Sequence, residues 1–233
     1  MISIAEYGVK LQRKLLKVRL QPIRVFCFHQ VSDVFDDSAM EVCDWIQTDV
    51  FKQIVLTLRK KYTFVSLTEA KEYIKNGFFR TKNYAVLTAD DGCSSIRSVI
   101  PWLAELGIPI TLFINPCYLD GKHFRERSTE KYLSMRDLKD CANTFTNVSV
   151  ALHGWEHQDM SSCSEVAFRE DIEKSKKALS FFPCYIPFYA YPWGRHNSMN
   201  DTVLRECGLT PVLMDGLRNY SDWHCIHREM MKT

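Results

Sequence analysis

The period of hydrophobic and polar positions along this 233-residue chain switches repeatedly between that of a strand and that of a helix. Arg24–Phe28 is a short apolar run that ends at His29. Thr48 is placed to cap a helix running to about Lys61, and Thr68 a second one through Ile74. Tyr84–Thr88 reads as a strand, Ser94–Leu106 as a helix closed by Gly107, and Ile110–Ile114 as the next strand. Ser134–Phe145 has a helical pattern, Val148–Leu152 an extended one, and Ser164–Phe182 is the longest amphipathic helix. Phe188–Ala190 is a short strand, Asn200–Cys207 a helix stopped by Gly208, and two brief strands follow. Such alternation predicts an α/β fold, a parallel sheet covered by helices.

No repeat, low-complexity tract or linker interrupts residues 23–233, so one domain is expected there. Residues 1–22 predict a basic amphipathic helix, with Ile4, Leu11, Leu15 and Val18 on one side and Lys10, Arg13, Lys14 and Lys17 on the other. Its apolar side can pack on the domain and leave the basic face in water, which is the preferred reading. The alternative is a peripheral contact with an anionic membrane surface.

Composition narrows the classes. Hydrophobic residues make up 46% and charged residues 25%, ordinary globular values. A net charge of +2 lacks the basic excess that nucleic-acid binding needs. The nine cysteines are odd in number, scattered, and form no CxxC pair. Neither a zinc ribbon nor a disulfide framework is expected, but free, mostly buried thiols in a reducing compartment. The longest apolar run, Val99–Ile114, is broken by Glu105 and two prolines, and no apolar signal segment is visible near the N-terminus. A soluble cytoplasmic protein is the expectation.

In helix-wrapped parallel folds the chemistry gathers at the C-terminal ends of strands. Those ends are His29, Asp90-Asp91, Asn115, His153 and Tyr191-Pro192-Trp193. In Thr88-Ala89-Asp90-Asp91-Gly92 the two carboxylates fit an exposed turn, or a division of labour in which one binds a cation and the other takes protons. The H-x-x-x-H spacing of His153 and His157 puts two imidazoles on one face of a helical turn, within reach of one ion. Two histidines and a carboxylate suit zinc and several other divalent metals. Glu156 does not follow the first histidine, so this is not a protease HExxH motif, and it should point away from the metal. The aromatic stretch Phe188–Gly194 can stack on a sugar or simply pack the barrel mouth, and Trp155, Trp193 and Trp223 share that ambiguity.

In this order the motifs resemble those of the polysaccharide deacetylase (NodB-homology) family of carbohydrate esterases. Thr88–Gly92 is similar to its T-F-D-D-G, His153–His157 to its H-[ST]-x-x-H with Gly154 replacing the hydroxyl residue, and Pro192-Trp193-Gly194 to the end of its R-x-P-[YW]-G. Phe28-His29-Gln30-Val31 looks like the Y-H-x-V of many bacterial members, and the resemblance spans about residues 24–229. It implies a distorted (β/α) barrel of seven or so strands that removes the N-acetyl group from an amino sugar. Carried over by position, Asp91, His153 and His157 become ligands of one divalent ion, zinc or else cobalt, nickel, manganese or iron. Asp90 becomes the general base, the backbone N–H of Trp193 the oxyanion donor, and Trp193, Tyr191, Pro192 and His29 the substrate contacts.

Two departures stand out. The arginine that often opens the third motif is missing, and Arg228 on the last strand is the expected replacement. The late L-x-H histidine that serves as general acid has its nearest match in His227, with His224 as competitor. The expected substrate is an N-acetylated glycan or a lipid-linked precursor. The alternatives are a deformylase or amidase acting on a lipid-linked sugar, and a degenerate glycan-binding protein without activity.

Overall fold

The structure is a computed structural model that describes residues 21–34, 45–76, 82–120 and 131–231. The predicted basic helix of residues 1–22 falls almost wholly outside them, as do Cys43 and His123.

Eight strands form a continuous path in which every pairing is parallel. In chain order they are β1 (Arg24–Phe28), β5 (Tyr84–Ala89), β6 (Ile110–Ile114), β7 (Val148–Leu152), β8 (Tyr185–Ala190), β9 (Thr210–Leu213), β10 (Ile226–His227) and β11 (Glu229–Met230). The small strand β4 (Thr63–Phe64) adds to β5, while β2 (Gln30–Val31) and β3 (Trp45–Ile46) pair with each other outside the sheet. The spatial order is β10-β9-β8-β7-β6-β5-β1-β11. The two ends of this path are neighbours in sequence, separated only by Arg228. β10 hydrogen-bonds to β9, β11 to β1, and one short extended stretch closes a barrel of seven staves. The family resemblance implied such a distorted barrel.

Strand alternation sorts side chains into two layers. Phe26, Leu87, Leu112, Val150 and Tyr189 join one buried cluster with the helices that wrap the sheet. Val25, Val86, Phe113, Ala151, Phe188, Val212 and Ile226 form the other, inside the barrel. The same period of two carries Thr88 to Asp90 and Ala151 to His153, so these two residues continue the interior rows at their C-terminal ends.

The helices are α1 (Thr48–Arg59), α2 (Leu67–Lys75), α3 (Ile100–Glu105), α4 (Met135–Thr144), α5 (Glu165–Leu179) and α6 (Ser198–Glu206). Several boundaries differ from the sequence pattern. The cap of α2 is Ser66, which forms a reciprocal capping box with Glu69, and Thr68 lies inside the helix. Thr48 is likewise helical, preceded by Gln47. The expected helix 94–106 is split: a 3-10 turn (Ser94–Ser98) precedes α3, because Pro101 supplies no N–H and favours a fresh first turn. β8 starts earlier than predicted, and three strands rather than two follow α6. Among the described residues no helix is long and apolar enough to cross a membrane, and the described cysteines are all free.

Candidate functional site

β5 delivers Asp90 and Asp91 from an apolar run whose Thr88 hydroxyl donates to the Phe26 carbonyl at 2.9 Å. The chain then reverses tightly. Gly92 N–H donates to Asp90 C=O at 2.8 Å, and Asp91 between them has φ 67°. Among the described residues, three non-glycines have positive φ: Asp91, His157 (55°) and Trp193 (60°). Each such backbone costs on the order of 1–3 kcal/mol, and their concentration around one spot marks a place where position outweighs local comfort.

Both carboxylates are buried, Asp90 at 3% and Asp91 at 4% exposure. Asp91 Oδ1 faces His153 Nε2 at 3.2 Å and His157 Nε2 at 3.3 Å. The ligating atoms of the three residues all lie within 4.8 Å of one another. The tautomer of His153 is set by its other nitrogen, which is 2.9 Å from the Ala190 carbonyl. A carbonyl only accepts, so Nδ1 carries a proton, and Nε2 is the nitrogen turned toward the anionic oxygen of Asp91. Burial drives the pKa of His157 down to about 4, while the Asp90 and Asp91 carboxylates outweigh burial at His153 and raise its pKa. With both Nε2 atoms deprotonated, three acceptors converge on one point, and a cation between them satisfies all three. Two ligands about 2.1 Å from one ion at a tetrahedral angle stand roughly 3.4 Å apart, close to the spacings observed. The donor set therefore fits a divalent ion.

Asp90 is held differently. Arg228 Nη1 and Nη2 donate to its two oxygens, each at 2.6 Å. Arg228 is itself 1% exposed, and its guanidinium stands 5.1 Å from the centre of the Phe113 ring. Burial alone would raise the pKa of Asp90, but the charge and hydrogen bonds of Arg228, with His153 and His29 nearby, together outweigh it and hold the carboxyl below its ordinary range. The cation missing from the third motif thus arrives from the barrel seam, not from a strand as expected but from the single residue between β10 and β11.

The segment 153–157 is an irregular loop, so the helical turn expected from the H-x-x-x-H spacing is not formed. Gly154 has φ 72°, which excludes a continuous helix. External bonds hold the loop instead. Asn115 Nδ2 donates to the carbonyls of His153 and Gly154, Cys117 N–H to Trp155 C=O at 3.2 Å, and Tyr118 OH to Glu156 C=O at 2.9 Å. From the other side Asp171 on α5 accepts the Trp155 N–H at 2.9 Å. The Glu156 side chain is exposed and accepts from Gln158, away from the histidines as expected.

At the mouth, Trp193 is 53% exposed and meets the His157 ring edge-on at 4.8 Å. Tyr191 and Pro192 are buried, and the Tyr191 hydroxyl donates to Asp201 at 2.7 Å. The sugar contacts expected of these two residues do not fit that burial. His29 is half-buried, and with Cys27 and Asp90 it forms a second close group of potential ligands. Arg228 Nη1 reaches both Cys27 Sγ, at 3.4 Å, and Asp90, so this group already contains a cation.

His227 pairs with Leu213 at the C-terminal end of β9, and its Nδ1 stands 2.7 Å from Asp215 Oδ2. His224 stacks on Trp223 at 4.1 Å and lies with Gly208, Leu209 and Thr210 at the opposite, N-terminal end of β9. The two competitors for one role therefore sit at opposite ends of the barrel.

A family model for polysaccharide deacetylases matches residues 80–212, from the approach to β5 into β9. The chain belongs to the polysaccharide deacetylase family. Solved deacetylase structures share its fold. IcaB from Ammonifex degensii superposes with a TM-score of 0.75 at 22% identity, over 91% of this chain and 92% of that one. The Streptococcus pyogenes deacetylase PplD, solved in complex with acetate, gives 0.74 at 17% identity over 91% and 93%. The BpsB deacetylase domain from Bordetella bronchiseptica gives 0.68 at 19% identity over 90% and 95%. No curated protein sequence matches significantly.

Against the family's motifs, the sequence pattern missed three supports of the site. Asn115 was visible only as a strand end, Asp171 is one acid among several on an amphipathic helix, and Asp215 lies in a loop. No local periodicity marks any of them.

Proposed function

We propose that this family member is a metal-dependent N-deacetylase acting on an N-acetylated amino sugar, with Asp91, His153 and His157 as ligands of one divalent ion, zinc by preference. The observation that carries the reading is the convergence of two imidazole Nε2 atoms on one buried carboxylate oxygen, at 3.2 and 3.3 Å. When bound, the ion would polarise the acetyl carbonyl and acidify a water.

The remaining steps belong to side chains. Asp90 stays ionised because Arg228 neutralises it, and its unused lone pairs can take a proton from the attacking water. The backbone N–H of Trp193, in the turn over His157, is the candidate donor to the oxyanion. The Trp193 ring offers an exposed apolar face to a sugar. Asp215 fixes the ring of His227, whose Nε2 would return a proton to the departing amine. The active-site end of the barrel thus carries a base and an acid on different staves.

The intact Asp90–Arg228 pair and ligand cluster speak against a degenerate binding module, which has no need for a neutralised buried carboxylate. A cytoplasmic setting and a lipid-linked precursor belong to this reading as its finer parts.

Acetate release from N-acetylated glucosamine oligomers, before and after chelation and with zinc restored, tests the whole scheme. Release that chelation abolishes and zinc restores is expected. Release that survives complete metal removal, or glycan binding without any acetate, would overturn it. A parallel N-formyl substrate separates the deformylase alternative.

A further inference from the structure

At the end of the barrel opposite the candidate active site lies a cavity of about 270 Å³, bounded by Lys71, Arg205, Thr210, Trp223, His224 and the Gly208–Leu209 turn. Four segments meet there: α2, the last turn of α6, the start of β9 and the loop before β10. We propose that this cavity is a phosphate-binding pocket, built to hold the phosphate group of a small phosphoester or of a phospholipid headgroup.

The charge pattern points to an anion. Lys71 and Arg205 bring two cationic side chains, His224 adds an imidazole ring, and Lys75 stands nearby with its Nζ 5.3 Å from the centre of the Trp223 ring. Among the described residues no carboxylate lines the cavity, and Arg205 takes part in no ion pair. Two acids lie outside the lining: Asp222 Oδ1 accepts the His224 backbone N–H at 2.9 Å, and Glu72, exposed on α2 and bonded to Asn76, partly offsets the charge of Lys71. Cations gathered with no carboxylate in the lining repel one another, and a bound anion relieves that repulsion.

The donors are also arranged in advance. Lys71 Nζ gives one hydrogen bond to Thr210 Oγ1 at 2.6 Å, which leaves two N–H donors for a ligand. Having accepted from Lys71, the Thr210 hydroxyl can donate its own proton, and Thr210 is only 4% exposed. Burial pushes the Lys71 ammonium's pKa down, so an anion beside it would be favoured. Trp223 fixes the geometry: His224 stacks on it, and Lys71 Nζ stands 5.8 Å and Lys75 Nζ 5.3 Å from its ring centre. Two or three cations with a hydroxyl match a doubly charged tetrahedral oxyanion better than a carboxylate. The volume leaves room for a sugar-sized substituent on one oxygen.

The experiment is calorimetric titration of the whole protein with inorganic phosphate against potassium chloride of equal ionic strength, and co-sedimentation with phosphatidylcholine vesicles with or without phosphatidic acid. Saturable phosphate binding is expected, weakened at least tenfold in Lys71→Gln/Arg205→Gln. Arg205→Gln alone changes an exposed side chain and should weaken it several-fold, so the test stands even if the double variant folds poorly. Acetate release should be unchanged in both, which separates this site from the proposed chemistry. Sedimentation with phosphatidic acid that phosphate competes away assigns the pocket to a headgroup, and phosphate binding without sedimentation assigns it to a soluble phosphoester. A phosphate response equal to chloride, or an undiminished one in Arg205→Gln, overturns the proposal.

Discussion

Arg228 grips Asp90 through two parallel hydrogen bonds of 2.6 Å, across 138 residues of sequence and inside the barrel. The arginine closes the barrel and neutralises the buried Asp90 carboxylate in one placement, since it is the only residue between the two strands that meet at the seam. Removing one partner of a buried pair strands the other, at a cost of about 3–5 kcal/mol. Arg228→Met is therefore expected to lower the unfolding free energy by about that much in a urea titration. Acetate release should fall about a hundredfold or more, with the ion still bound. Adding Asp90→Asn should restore much of the stability and none of the turnover. Full turnover in Arg228→Met with normal metal content would remove Asp90 from the proposed base role.

His227 and His224 give a second contrast, because with only Cys225 and Ile226 between them they stand at the C-terminal and N-terminal ends of the barrel. His227→Ala is expected to reduce kcat by about 10²-fold or more while KM changes little, as loss of a proton donor acts in the transition state. His224→Ala should leave both parameters near wild type. Asp215→Asn should resemble a weaker His227→Ala, since it only loosens the ring that it orients at 2.7 Å. Steady-state kinetics on one N-acetylated oligosaccharide reads all three variants, and an equal loss in His224→Ala would sink the assignment.

The parts of this protein legible in its sequence are those with a local physical signature. Period-two apolar runs announced β1, β5, β6 and β7, and the residues just beyond them, His29, Asp90, Asp91 and His153, stand at the barrel mouth. The seam was not legible, because two-residue strands around Arg228 carry too little pattern to register. Helix starts were misplaced where a serine competed with a nearby threonine, as at Ser66 and Thr68, since either can cap and only the reciprocal Glu69 bond decides. The H-x-x-x-H spacing was right about convergence and wrong about its cause. The rings meet because tertiary hydrogen bonds hold an irregular loop, not because a helix repeats.

Gly154 tests that loop directly. It stands where many family members have serine or threonine, at φ 72°, with space for an added Cβ only 3.1 Å from the Tyr189 hydroxyl and 3.3 Å from Pro192 Cγ. Gly154→Ala is expected to cost about 1–2 kcal/mol of backbone strain plus the displacement of those neighbours. The displacement should reach His153 and lower the bound metal per chain. Gly107→Ala is the control, with φ 65° and nothing within 4 Å of the added carbon. It should bear the strain alone and keep full metal content and turnover. Equal metal content in the two variants, measured by elemental analysis, would show that the loop tolerates the shift.

The last expectation concerns the two side chains that clasp this loop from opposite flanks. Asn115 donates to the carbonyls of His153 and Gly154 from the end of β6, and Asp171 accepts the Trp155 N–H from α5. Neither belongs to the proposed ligand set, yet together they fix the backbone between the two histidines. Burial raises the pKa of the Asp171 carboxyl, while the Trp155 N–H and the Tyr189 hydroxyl, at 3.4 Å, offset part of that rise. Outer partners of metal ligands commonly carry about 10–100-fold of metal affinity. Asn115→Ala and Asp171→Ala should each weaken zinc binding by about that factor in a competitive chelator titration. At saturating zinc much of the turnover should return, because the ligands themselves are unchanged. The double variant should lose less than the product of the two single losses if both act through one loop, since residues bracing a common element are not additive. Independent, multiplicative losses would mean that each side chain acts on a different part of the site.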